Sequence, residues 1–457
     1  MTKTYDLTKG KTTSVVLRFF FPMLLTNMLQ QIYTIADTMI VGKGLGDNPL
    51  AAVGNMSSLT FFIIGFSLGL TNGFSVSIAQ AYGAKDREKL RKSIASSILL
   101  STAITILLTA LSVIFLHPVL ELLQTSDIIM KDSLLYGYII FGGLFSTIAY
   151  NLCASILRAL GDSKTPFIAI IFSTIFNIIF NWVSIYVLHM GVEGPAVVTV
   201  VSQIISAAIC YMKLRKIEEI RLAKEHFRDN IRIYLELMKN GVPMAIMNSI
   251  TAIGSMTVQY FVNGMGVAYT SAFSACSRYI NLFIQPSCTA GNAMSSFTSQ
   301  NFGAKKYRRI YEGFKVCMSI SLITYIVFGA VMIFCPRFLA SLMLNGDQQI
   351  ELAMGYLVRS GLMKFAVDFL FVVRSGCQGM GKPLYPMISG VLEMIFRVVV
   401  IVACTDVFGF AATSYAEIAA WIAALIINSI AFGYYLNGYL KDEKTEKFSF
   451  EKRLKRV

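Results

Sequence analysis

Apolar residues in this chain run in blocks of about 20 or more, separated by short polar stretches. A helix needs about 20 mostly apolar residues to cross a bilayer. Twelve such blocks can be marked, near 15–41, 51–81, 93–116, 132–157, 166–190, 194–213, 237–263, 268–300, 313–336, 351–376, 384–405 and 411–437. They predict an all-α polytopic membrane protein. The first, second, seventh and eighth blocks are long enough to tilt, kink or project beyond the bilayer. The polar opening from Met1 to Lys11 is followed by no small-residue cleavage pattern, so it is not expected to be a secretory signal.

Composition strengthens this reading. Of 457 residues, 55% are hydrophobic and only 14% charged, against about 25% charged in soluble domains. Too few charges remain to cover a water-facing surface, which excludes a soluble enzyme or DNA-binding domain. Lys and Arg number 40 against 26 Asp and Glu, a net charge of +14. The position of that excess matters more than its size. Lys85, Arg87, Lys89, Arg91 and Lys92 lie in one connection, and Lys213, Arg215, Lys216, Arg221, Lys224, Arg228, Arg232 and Lys239 in another. Lys305, Lys306, Arg308 and Arg309 follow, and the tail from Lys441 to Arg456 is also basic. The opposite loops offer only Lys43, Lys131 and Arg337. The positive-inside rule then puts both termini in the cytoplasm and the chain in the inner (cytoplasmic) membrane. The basic loops read as solvated connections obeying that rule. Binding of anionic lipid headgroups by them is the sharper alternative. Membrane lipid is an expected partner, and nucleic acid is not.

The chain also repeats itself. AQAYGAKD at Ala79–Asp86 returns as SQNFGAKK at Ser299–Lys306, an offset of 220. The same offset pairs Asn72 with Asn292, Gly44 with Gly264, Gly46 with Gly266, Gly161 with Gly381 and Pro166 with Pro386; Pro22 and Pro243 match within one residue. The expected organisation is an N-terminal six-helix lobe over 1–213, a basic linker over 214–236, a C-terminal six-helix lobe over 237–440 and a tail over 441–457. An even number of spans per half makes the halves parallel repeats about an axis along the membrane normal. That is one architecture of secondary transporters, with a site near the midplane between repeats.

A charge at the bilayer centre costs about 2.5–3.5 kcal/mol or more, so each one needs a reason. Asp37 lies deep in the first block, in QQIYTIADTMIVG, with no basic residue three or four positions away. Such a carboxyl can carry a proton or bind a monovalent cation. Asn177 and Asn181 are one helical turn apart and share a face, Asn151 and Arg158 share another, and Thr199 lies in the sixth block. Their oxygens could complete a cation shell with Asp37 or hydrogen-bond its protonated form; the alternative is helix–helix glue. The repeat positions of Asp37, Asn177 and Asn181 hold Thr257 or Val258, Arg397 and Ile401. Ion coupling is therefore expected to be asymmetric and N-terminal.

The second half has its own charges. Lys364–Asp368 and Glu393–Arg397 are opposite-sign i,i+4 pairs that can neutralise each other; Arg278 and Arg359 stand among them. Glu417 has no partner on its own helix and is a candidate for a cationic substrate or a second ion. Pro22, about four turns before Asp37, and Pro243 in the seventh block are candidate hinges, since proline removes a helix hydrogen bond.

Eight scattered cysteines form no CxxC or Cys/His cluster with metal spacing. His117, His189 and His226 are separated, and no P-loop, HExxH or GxSxG context exists. No enzyme activity, resident metal or cofactor is expected, and an ion gradient is the expected energy source.

At this level of detail the chain resembles the multidrug and toxic compound extrusion (MATE) family over nearly its whole length. The resemblance rests on DLTKGK (Asp6–Lys11), Pro22, QQIYTIADTMIVGKGLG (Gln30–Gly46), AQAYGAKD with its repeat SQNFGAKK, ILRALGDSKTP (Ile156–Pro166) and CQGMGKP (Cys377–Pro383). It implies two pseudo-symmetric six-helix bundles forming a V around a central cavity. It also implies export of organic cations and amphipathic drugs in exchange for H⁺ or Na⁺. The family's coupling aspartate falls on Asp37, its asparagines on Asn151 and Asn177, and its threonine on Thr199; Na⁺ could sit at Asp37, Asn177 and Thr199. The chain departs from the family where some members have a further aspartate, at Asn181, and where sodium-coupled members have a glutamate, at Thr251. Asp368 lies one position out of register with an aspartate of that subgroup. The resemblance favours H⁺, coupled in the N-terminal half of a monomer. The competing reading is a flippase for lipid-linked saccharides of the same superfamily, for which Arg278 and Arg397 would supply positive charge.

Overall fold

The computed structural model describes residues 6–228 and 231–454. Parts of the expected linker and tail, residues 229–230 and 455–457, and residues 1–5 of the N-terminal segment lie outside the described residues. Among the described residues there is no strand. The helices are α1 (Thr12–Leu45), α2 (Asp47–Gly83), α3 (Arg87–Leu122), α4 (Asp127–Gly142), α5 (Leu144–Ala159), α6 (Lys164–Tyr186), α7 (Glu193–Arg215) and α8 (Ile231–Met265). They continue with α9 (Val267–Phe283), α10 (Gln285–Gly303), α11 (Tyr307–Thr324), α12 (Ala330–Phe334), α13 (Pro336–Ser341), α14 (Asp347–Gly379), α15 (Leu384–Phe408) and α16 (Ala411–Leu454). A π-helical turn, Tyr325–Gly329, joins α11 to α12.

Every expected block is helical, but the blocks are not alike. Nine described helical stretches are long and apolar enough to cross a membrane, and the pair α4–α5, bent by 43°, makes a tenth. The other two fall short for identifiable reasons. The eighth block is broken into α9 and α10, with Pro286 opening the second piece and Ser, Thr, Asn and Gln along it. The tenth block, α14, carries Arg359, Lys364, Asp368 and Arg374. A span this polar has to be sheltered by protein, and Lys364, Asp368 and Arg374 are indeed buried.

The repeat is written in the backbone as well. Positive φ occurs at Gly46 and Gly266, at Lys85 and Lys305, at Gly161 and Gly381, and at His189 and Gly409. Each pair is separated by the offset of 220 found in the sequence. A left-handed residue is costly away from glycine, so its return at four matched turns shows that the halves share turn geometry as well as motifs.

The chain divides into two compact units, one built around Phe21–Ala245 and the other from Leu7–Phe20 with Ile246–Val457. Two long helices therefore change unit partway along. Helix α1 does so beside Pro22, and α8 within three residues of Pro243; both run unbroken through their proline. In the first unit, Gly69 and Gly73 on α2 face Ala245 and Gly241 on α8. A Cβ at either glycine would stand 2.4 or 2.3 Å from backbone atoms. This is small-residue packing that lets helix backbones approach closely. In the second unit, the segment before α1 is held by side chains of the SQNFGAKK region. The Leu7 amide donates to Gln300 Oε1 (2.9 Å), Lys306 Nζ to the Thr8 carbonyl (2.8 Å) and Arg309 Nη1 to the Gly10 carbonyl (2.7 Å).

Candidate ion-coupling site

The site in the first unit is a ladder between two helices. On α1, Tyr33 and Asp37 are one turn apart; on α6, so are Asn177 and Asn181. Residues four apart on a helix share a face, so two rungs form. Asn177 Nδ2 donates to Tyr33 Oη at 3.4 Å, and Asn181 Nδ2 donates to Asp37 Oδ1. The same Asn181 amide nitrogen donates to Asn177 Oδ1 at 2.9 Å, which ties the rungs together. Tyr33 Oη lies 3.2 Å from Thr199 Oγ1 on α7. A continuous polar chain thus runs from Asp37 through Asn181, Asn177 and Tyr33 to Thr199. Asn177 and Asn181 are fully buried, while Tyr33, Asp37 and Thr199 are half-buried.

The polar character of this chain is unusual in one respect. Among the described residues no cation pairs with Asp37, whose only hydrogen-bonding partner is the Asn181 amide. The Asn181 side-chain oxygen is buried without a partner. A carboxylate, an unused amide oxygen, a second amide and two hydroxyls make a pocket of oxygens with one negative charge. Such a set can exchange a proton or hold a small monovalent cation, and it contains no soft metal ligand. No group of three or more His, Cys, Asp or Glu residues suited to a metal occurs among the described residues.

Four of the five expected coupling residues, Asp37, Asn177, Asn181 and Thr199, are brought together. Asn151 is buried on α5, and no hydrogen bond joins it to the cluster among the described residues. Sequence reading missed Tyr33, although it stands one turn before Asp37 on the same face. It also missed Tyr136 on α4, which lies within electrostatic reach of both Asp37 and Tyr33. No sequence pattern points to Tyr136, because only the packing of α4 brings it close.

The second unit solves the same problem differently. Lys364 Nζ donates to both oxygens of Asp368 at 2.6 Å. Arg374 pairs with Glu393. Arg397 Nε and Nη2 both donate to Glu417 Oε2, at 3.1 and 2.9 Å, and Nη2 lies 3.8 Å from Glu393. The i,i+4 pair at 364 and 368 forms as expected. Glu393 and Arg397 instead turn mainly to other helices, because α14 supplies Arg374 and α16 supplies Glu417. Glu417, without a partner on its own helix, takes one from α15. Arg374 was not among the candidates; it sits near the end of α14, where a basic residue reads as a loop charge. Arg359 donates to Ser414 Oγ at 2.7 Å and lies over the Tyr415 ring.

Comparison with known proteins fits this architecture. The MatE family model matches residues 22–183 and again 243–403, one match in each half. A probable multidrug resistance protein YoeA of Bacillus subtilis is 30% identical over 350 residues, covering 73% of this chain and 74% of the relative. A probable multidrug resistance protein NorM of Thermotoga maritima is 25% identical over 386 residues, 82% of this chain and 81% of its own. The crystal structure of MATE in the bent conformation superposes with a TM-score of 0.90 at 19% identity, covering 97% of this chain and 99% of that one. The family match makes the chain a multi-pass membrane transporter and not an enzyme. The chain belongs to the MatE, or MATE, family.

Proposed function

We propose that the protein is a secondary active exporter of organic cations and amphipathic drugs, working by alternating access and driven by inward movement of H⁺ bound at Asp37. The observation that carries this reading is the Asp37–Asn181–Asn177–Tyr33–Thr199 chain, with one half-buried carboxylate and, among the described residues, no cation paired with it. Named relatives are described as multidrug resistance proteins, which supports the substrate class. The Asn181 amide gives Asp37 an N–H donor but no counter-charge. That arrangement suits proton exchange, and Na⁺ is the competing coupling ion. The basic connections support cytoplasmic termini and an inner-membrane location, and the repeat of the halves within one chain supports a monomer. The flippase reading loses support because Arg397 is already paired with Glu417, which leaves it only Arg278 of the two arginines it would use.

The test is uptake of a fluorescent organic cation into proteoliposomes under separately imposed H⁺ and Na⁺ gradients, for the natural chain and for Asp37→Asn. A proton gradient should drive uptake by the natural chain and not by the variant. Unchanged gradient-driven uptake by Asp37→Asn would overturn the assignment; uptake driven by Na⁺ alone would replace H⁺ with Na⁺.

A further inference from the structure

The repeat places Arg397 where the first unit has Asn177, at the offset of 220. The offset of 221 shown by Pro22 and Pro243 places Gly254 where the first unit has Tyr33. The structure joins these two positions as it joins their counterparts. A Cβ on Gly254 would lie 3.1 Å from Arg397 Nη1, just as Tyr33 meets Asn177 in the first unit. So the second unit contains the repeat image of the ion ladder, with a large ring replaced by glycine and an amide by a guanidinium.

Two features of this image site are unfinished. Arg397 is 4% and Arg374 7% exposed, yet Arg397 Nη1 and Arg374 Nε have no hydrogen-bond partner among the described residues. A buried donor without a partner is costly and calls for an occupant. Moreover, Glu417 is the most exposed member of the network, at 12% for its side chain, so it is the one most easily parted from Arg397. The network Arg374–Glu393–Arg397–Glu417 sums to zero charge. A lone anion or a lone cation entering it would leave a net charge buried. A zwitterion would not: its carboxylate can take Arg397, including the unused Nη1, while its cationic end takes the released Glu417.

We propose that Arg397 and Glu417, with Gly254 packed against the guanidinium, form a binding site in the second unit for zwitterionic amphiphiles, in which substrate exchanges partners with the Arg397–Glu417 ion pair. This deepens the export reading and rests on it for the substrate class. It assigns carboxylate selection to the second unit, apart from ion coupling at Asp37.

A matched pair of dyes tests it. Rhodamine 110 carries a free carboxylate and a delocalised cation; rhodamine 123 is its methyl ester and is only a cation. Binding of each to the detergent-purified full chain is measured by fluorescence anisotropy without any gradient, and the readout is the ratio of the two affinities. Arg397→Gln should shift that ratio about tenfold toward the ester. Glu417→Gln should shift it about tenfold the opposite way, because the cation loses its partner while the guanidinium is released. Gly254→Ala, which changes no charge but sets a Cβ 3.1 Å from Nη1, should shift it severalfold toward the ester by crowding the guanidinium. Opposite shifts from the two charge variants are not produced by general destabilisation. The proposal is overturned if the ratio moves less than twofold in all three variants, if Arg397→Gln and Glu417→Gln move it the same way, or if the natural chain binds neither dye. Because no gradient is involved, failure here with Asp37→Asn still abolishing driven uptake removes only this site. Driven uptake surviving Asp37→Asn with the ratio shifts intact removes only the coupling assignment.

Discussion

The two units carry the same turns at the same repeat positions, yet they handle buried polarity in opposite ways. In the first, a single carboxylate is surrounded by amides and hydroxyls, so its charge is left for something from outside to balance. In the second, charged residues are paired on the spot: Lys364 with Asp368, Arg374 with Glu393 and Arg397 with Glu417. Duplication gives both halves one scaffold. Where the scaffold was kept and the charges were not, the difference separates packing from chemistry. An uncompensated acid can change its charge state during a cycle without an internal ion pair resisting it. A compensated network holds helices in register and gives up a partner only to a ligand that replaces it.

This contrast can be broken at several points. The largest effect is expected at the isolated pair in α14. Lys364→Leu should cost about 3–5 kcal/mol, because it leaves Asp368 buried and unpaired, while the double variant Lys364→Leu/Asp368→Leu should recover most of that loss. Thermal unfolding of the purified protein reads both; a double variant no more stable than the single one would show that the pair is not self-contained. In the first unit, Asn181→Leu should slow driven uptake about tenfold or more, since a hydrogen bond to a charged group is worth about 1.5–3 kcal/mol. Its thermal midpoint should fall less than that of Lys364→Leu. The reverse ordering of the two midpoints would erase the distinction between the units.

Pro22→Ala addresses the crossing point of α1 between units. It should restore a helix hydrogen bond and leave folding intact while reducing driven uptake severalfold, with substrate leak retained. Fully coupled transport by that variant would rule out the hinge; Pro243→Ala then asks whether the repeat position in α8 behaves likewise. The smallest effect belongs to Tyr33→Phe, which removes the link between Asn177 and Thr199. A neutral hydrogen bond is worth about 0.5–1.5 kcal/mol, so driven uptake should fall about two- to tenfold. No change at all would confine the functional ladder to the Asp37–Asn181 rung.

Much of this was legible in the sequence. Asp37, Asn177 and Asn181 could be chosen because a carboxylate without a local cation and two amides one turn apart are visible in one dimension. The repeat was legible for the same reason: a constant offset needs no coordinates, and four pairs of left-handed residues later fell on it. Tyr33 was within reach of the same reasoning, one turn from Asp37, but a tyrosine in an apolar helix carries no signal of its own. Tyr136 and Arg374 were out of reach. Each is brought to its partners by a neighbouring helix, and helix-to-helix register depends on side-chain packing over the whole unit.

The sequence by itself determined the membrane class, the helical blocks, the duplication and the identity of Asp37 as an acid without a local counter-charge. These follow from composition and from periodicity along the chain. The tertiary structure decided which polar groups meet. It drew Glu417 to Arg397 and Glu393 to Arg374 although closer partners stood on their own helices or none stood at all, and it left Asn151 out of the ladder. Burial makes an unpaired charge or donor expensive, so pairing is settled by whichever helix presents a partner at the right depth. That is a property of packing, not of spacing along the chain.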